Sequence, residues 1–118
     1  MAERMLEITI SVPLSDETIT NLIDAAGYGM NDYCRKGIID KDKQRYTFWV
    51  HAELVDDKVL AKNVVTYDRI RDAIAELWTK DHLPEWFERE IRSGDIYGDA
   101  MIGSNIVQQA AWSEVIFG

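Results

Sequence analysis

The sequence predicts an α+β domain over residues 1–118, a small antiparallel sheet of about three strands with helices packed on one face. Three observations carry this expectation. Residues 5–12 and 45–54 alternate apolar and polar side chains with period two, as half-buried strands do. Three later or intervening stretches repeat apolar residues at spacings of three and four, as amphipathic helices do. The order is strand, helix, two strands, then helices, with no repeat, low-complexity tract or linker.

Taken in order, Leu6, Ile8, Ile10 and Val12 point one way and Glu7, Thr9 and Ser11 the other, and Pro13 ends that strand because it cannot donate to a ladder. Ser15 offers an N-cap, and Asp16 and Glu17 complement the positive end of the helix dipole. Ile19, Leu22, Ile23, Ala26 and Met30 form the stripe of this first helix, which is expected to run on through Tyr33 and Cys34 to Gly37. Gly27 and Gly29 interrupt it and mark a bend or a close backbone approach. Residues 41–44 read as a charged turn. The strand at 45–54 sets Tyr46, Phe48, Val50, Ala52 and Leu54 on one face and Trp49 and His51 on the other. Asp56 and Asp57 fit a turn, residues 58–62 a short returning strand, and the hairpin is expected to pair with the first strand. Thr66 caps the next helix, whose stripe is Ile70, Ala73, Ile74, Leu77 and Trp78. Asp81 is expected to cap a short helix with Pro84 in its first turn, carrying Trp86, Phe87 and Ile91. Residues 93–98 read as a loop. Asp99 then opens a last helix with Ile102, Ile106, Val107 and Ala110 facing inward.

Composition narrows the function classes. The 13 basic and 21 acidic side chains give a net charge of −8, which argues against direct nucleic-acid binding and against an anionic membrane surface. The apolar fraction of 47 %, with four Trp and five Tyr, supports a real core. A lone cysteine, Cys34, excludes an intrachain disulfide framework and fits a reducing cytoplasm. No signal peptide or membrane span is read, so a cytoplasmic location is expected.

Chemistry-bearing patterns are sparse, and no enzyme activity, metal or cofactor is expected. His51 and His82 lack the spacing of a helical metal pair. Cys34 has basic neighbours in Arg35 and Lys36, but nothing in the sequence places a base beside it, so an inert, partly buried thiol is expected. The glycines form no phosphate loop. Asp95 and Asp99 flank Tyr97 and are candidate binding acids, with a cap and a solvated loop acid as their plain structural roles. The leading candidate set is polar and aromatic: Tyr28, Asn31, Asp32 and Tyr33 near the end of the first helix, with Gln108, Trp112 and Glu114 from the tail. Asn and Gln each offer a donor and an acceptor, and aromatic rings give flat stacking surfaces. The structural alternative is that Asn31 turns the helix and Gln108 and Glu114 satisfy backbone groups.

The tail, residues 106–118, sets Ile106, Val107, Trp112, Val115, Ile116 and Phe117 among polar groups, so it is expected to be tied into the fold or a partner. Gln108, Ala110, Trp112, Glu114, Val115, Ile116, Phe117 and Gly118 make a closing pattern that resembles a family of small acidic proteins of tailed phages and prophages. In that family Gln-x-Ala-x-Phe-Gly-Glu precedes two aliphatics, Tyr and Gly; Ser113 stands here where the pattern has Gly. Asp99 and Ala100 match a common Asp-Ala upstream, and Gly29 and Asn31 match part of an early Gly-Gly-Ser-Asn-Tyr-Trp segment. The resemblance implies a phage or prophage accessory protein acting in a bacterial host. Together with small size, acidity and aromatic richness, it leads to the expectation of a non-enzymatic inhibitor that binds and neutralises a host protein or complex, such as an anti-CRISPR. Two alternatives stand beside it: a sponge for a small nucleotide ligand, and an assembly subunit that forms a homodimer through its aromatic tail.

Overall fold

The computed structural model describes residues 14–87, 89 and 100–117. The fold is α+β: among the described residues, a three-stranded antiparallel sheet with helices against its buried face. Helix α1 (Asp16–Gly29) is followed by β1 (Cys34–Asp40), β2 (Arg45–Val50), β3 (Lys62–Thr66), α2 (Tyr67–Thr79) and α3 (Ala100–Trp112). The strands lie in the order β1-β2-β3. The strand expected at 5–12, the loop at 93–98, Ile91, and the candidates Asp95 and Asp99 lie outside the described residues.

The start of α1 follows the sequence. The Thr18 N–H donates to the Ser15 hydroxyl at 3.2 Å, and Arg71 holds the entry by donating to the Leu14 carbonyl and to Asp16. Its end does not. The helix stops at Gly29 instead of reaching Gly37, and Cys34 begins a strand. The end coincides with a close approach of the partner helix. A Cβ on Gly29 would stand 2.7 Å from the Ala100 carbonyl carbon, so α1 and α3 meet backbone to backbone there. The Met30 carbonyl then accepts from both Tyr33 and Cys34, which closes a turn through Asn31 and Asp32. Beyond it, Ile38 and Ile39 carry the β-branched character a strand favours.

The hairpin is shifted from its expected bounds. Strand β2 ends at Val50, and Ala52–Leu54 forms a 3-10 turn. The returning strand runs Lys62–Thr66, not 58–62, because the Asp56 carboxylate accepts from the N–H groups of Lys58 and Val59 and holds them in a turn. Register pairs Tyr46 with Val65 and Phe48 with Asn63 on the buried face. A short helical segment does follow Pro84 at residues 85–87, but Asp81 closes α2 instead of capping it: its φ is 59° and its N–H donates to the Trp78 carbonyl.

Thr66 caps α2 as its sequence suggests, with the Arg69 N–H donating to its hydroxyl at 3.1 Å. The stripe Ile70, Ala73, Ile74, Leu77 and Trp78 is buried, as are Ile106, Val107 and Ala110 of α3. Arg69 supplies the C-terminal carbonyls of α3 with donors, reaching Ala110 at 3.1 Å and Gln109 at 3.0 Å. Glu76 orients it through a contact of 2.7 Å and also accepts from Gln109. The guanidinium bond holds the Glu76 carboxyl below its ordinary value of 4.5. A depressed carboxylate stabilises the fold above its unfolded pKa and loses that contribution as pH falls through the folded value. Melting followed from pH 7 to pH 3 is therefore expected to fall less steeply for Glu76→Gln than for the native chain; equal slopes would remove Glu76 from this role.

Candidate functional site

The sequence-selected polar and aromatic residues divide into an internal clamp and an outer group. Gln108 is fully buried in α3. Its amide nitrogen donates to the Phe117 carbonyl at 2.8 Å and to the Ser104 hydroxyl at 3.2 Å. Its amide oxygen accepts from the N–H groups of Ile116 (2.8 Å) and Phe117 (2.7 Å). One side chain thus serves three backbone groups of the tail and brings the chain back on itself. Tyr33 lies beside it, with its hydroxyl 2.7 Å from Ser104 and its ring stacked on Phe117 at 4.7 Å. Burial pushes the Tyr33 phenol well above its ordinary value. Trp112 meets Phe48 and Phe117 edge to face and donates to the Asn63 side chain at 3.0 Å.

The α3 helix ends on Ser113, which takes φ 60° and donates to the Gln109 carbonyl. This left-handed position is where the family pattern has Gly, and serine makes the turn here. The tail rings are spent on the chain's own core, so Gln108 and Trp112 act as structure. Tyr28 is 79 % exposed, and Asn31 and Asp32 sit exposed in the turn after α1. Glu114 is exposed and pairs with Lys58 at 3.1 Å. Tyr28, Asn31, Asp32 and Glu114 are therefore not gathered with Gln108 around one pocket.

A hollow of about 220 Å³ does open beside Asn31, between α1 and β1. Its floor includes Ile23, Met30 and Tyr46, and Asp24, Arg35 and Lys36 border it. Cys34 also lines it, and burial pushes this thiol up to about 12. At neutral pH the sulfur is protonated and a poor nucleophile. Among the described residues no group of three or more His, Cys, Asp or Glu could hold a metal ion.

The surface feature that sequence reasoning missed is the outer face of the sheet. Pairing sets Lys36 and Lys62 on either side of Trp49. Both ammonium groups lie over its ring, at 5.0 and 5.8 Å from the centroid. The next row is Ile38, Thr47 and Val64, with Ile38 47 % and Val64 52 % exposed. Arg45 stands in the row after that. Among the described residues Lys36, Arg45 and Lys62 form no ion pair. Asp40 stands across from Arg45, so among the described residues this acidic chain presents a mainly basic, partly apolar surface around a tryptophan. The alternation of β2 already placed Trp49 outward; its cationic neighbours became visible only when β1 proved to be a strand.

Among the described residues no helix is long and apolar enough to cross a membrane. Comparison with protein-family models, with curated proteins and with solved structures found no match.

Proposed function

We propose that this protein works by occupancy: a phage or prophage accessory protein that binds and neutralises a host component, as an anti-CRISPR or another anti-defence inhibitor does. The observation that carries this reading is the outer sheet face, with Trp49 between Lys36 and Lys62 and the apolar pair Ile38 and Val64 beside them. Tryptophan is among the residue types most enriched at interface hot spots. Lysines that form no ion pair among the described residues fit a protein partner that presents carboxylates. The partly buried thiol of Cys34, pushed up by burial, is a poor nucleophile at neutral pH.

The test is capture from host lysate with mass spectrometry reading both proteins and small molecules. The native chain is expected to retain one stoichiometric host protein. Trp49→Ala combined with Lys62→Glu should lose it while keeping the circular dichroism of the fold, since both side chains lie on the outer face. Equal capture by the double variant would reject this surface, and substrate turnover by the purified chain would reject occupancy as its mode of action.

The sponge reading draws on the hollow beside Asn31, where Arg35 and Lys36 could meet phosphate and Asn31 a base edge. A nucleotide recovered in the same capture would favour it. The assembly reading relied on the aromatic tail, whose rings are engaged inside the chain.

A further inference from the structure

The hollow between α1 and β1 has three features that packing of the fold does not account for. The first is a glycine. Gly29 and Gly103 stand where a Cβ would press on backbone, but a Cβ on Gly27 would meet nothing within 4 Å. Glycine inside a helix costs about 1 kcal/mol against alanine. Close packing therefore gives no reason for Gly27, which lines the hollow and leaves room on its helix wall.

The second is a phenol. Tyr46 is 5 % exposed, and its hydroxyl lies against Gly37 on the strand wall. Among the described residues that hydroxyl donates only to the Met30 sulfur, at 3.9 Å, and a thioether is a weak acceptor. Buried polar groups ordinarily find a full partner. Burial pushes this phenol up to about 12, so at neutral pH it keeps its proton and has a donor to offer. The third is charge. Asp24 stands on the helix wall and Arg35 on the strand wall, and among the described residues neither forms an ion pair. The lining also includes apolar Ile23, Met30 and Ile39.

Size and charge together select the ligand. At about 220 Å³ the hollow is smaller than the roughly 300–1,000 Å³ of pockets that enclose drug-sized molecules, so it takes something smaller than a nucleotide. A phosphate or simple carboxylate drawn to Arg35 would also meet the like charge of Asp24. A dipolar molecule turns both groups into partners. We propose that this hollow binds a free α-amino acid with an apolar side chain. Its ammonium faces Asp24. Its carboxylate faces Arg35 and the Tyr46 hydroxyl, which is held at Gly37, two positions along β1 from Arg35. Its side chain rests on Ile23, Met30 and Ile39. The site uses neither Trp49 nor the outer sheet face, so it stands independently of the host-binding proposal.

The test is calorimetric titration of the full chain with L-leucine and with L-phenylalanine, with two-dimensional NMR locating the site. Saturable binding is expected, with amide shifts at Gly27, Cys34 and Gly37. Isocaproate lacks the ammonium of leucine, and isoamylamine lacks the carboxylate. Each should bind about tenfold more weakly than leucine or worse, the loss of one charged hydrogen bond. Asp24→Asn should weaken leucine by a similar factor without weakening isocaproate. Gly27→Leu fills the hollow from an open helix position and should abolish binding while the chain keeps its melting temperature. Should that variant not fold, Asp24→Asn decides, because Asp24 is exposed. Failure of both amino acids to bind, isocaproate binding as tightly as leucine, or undiminished binding to folded Gly27→Leu would overturn the proposal. Adenosine monophosphate shifting the same amides at lower concentration would replace it with the nucleotide sponge.

Discussion

Replacing Gln108 with alanine is expected to destabilise the fold by about 3–5 kcal/mol, a large share of the roughly 5–15 kcal/mol that holds an ordinary domain folded. The side chain is fully buried and makes four hydrogen bonds, three of them to backbone groups of Ile116 and Phe117. Alanine removes the amide and leaves those groups to find water or stay unpaired. Each buried polar group left without a partner costs about 1–3 kcal/mol. The loss spreads through packing, because Phe117 is stacked on Tyr33 and set edge-on to Trp112, which in turn meets Phe48 of the sheet. Urea unfolding measures the effect, and near-ultraviolet circular dichroism reports whether the ring cluster loosens. A loss under about 1 kcal/mol would mean that the tail is not held as described.

Gln108→Glu separates the two halves of this clamp. A glutamate keeps the volume and the acceptor for Ile116 and Phe117 but, when ionised, offers no donor to Phe117 or Ser104. Burial would raise its folded pKa above the unfolded value near about 4.3. Stability is then greatest below that unfolded value and falls as pH rises through the folded one. The variant should therefore lie nearest the native chain in mild acid and furthest from it at neutral pH.

These residues also mark what the sequence could and could not disclose. The stripes of α1 and α2, the caps Ser15 and Thr66, and the inward face Tyr46, Phe48 and Val50 were legible because each depends on local periodicity or a local hydrogen bond. The end of α1 was not. Tyr33 and Cys34 continue a plausible helical pattern, and the turn after Gly29 shows only in the Tyr33 and Cys34 N–H bonds to the Met30 carbonyl, beside the close approach of Ala100 about seventy positions away. The start of β3 was misplaced for a similar reason, since an Asp56 side-chain bond competed with strand pairing. For the site, the sequence chose Gln108 and Trp112 as special and the structure agrees that they are buried and bonded. Their service to the tail, and not to a ligand, depends on where residues 116 and 117 return. Trp49 was placed on the wet face, yet Lys36 and Lys62 join it only through cross-strand register, which a single chain does not spell out.

Paired glycine substitutions in α1 are expected to give changes of opposite sign. Gly29→Ala places a Cβ on the Ala100 carbonyl, 2.7 Å from its carbon and 3.2 Å from the Met101 nitrogen. All of these are backbone atoms, so no rotamer change relieves the overlap and α1 must move from α3. That movement also disturbs the neighbouring crossing, where Gly103 lies so close that a Cβ on it would be 3.0 Å from the Ala26 Cα. Overpacking of this kind costs about 1–3 kcal/mol and more where backbone is involved. Alanine favours a helix over glycine by about 1 kcal/mol, which offsets part of the loss. A net destabilisation of about 2 kcal/mol or more is expected. Gly27→Ala meets nothing within 4 Å of its new Cβ. It keeps the propensity gain without the overlap and should stabilise by about 0.5–1 kcal/mol. The two sites are two residues apart in one helix, so the difference between their urea midpoints isolates the α1–α3 approach from helix propensity. If Gly29→Ala stabilised the chain as much as Gly27→Ala, the helices could not cross backbone to backbone at this point.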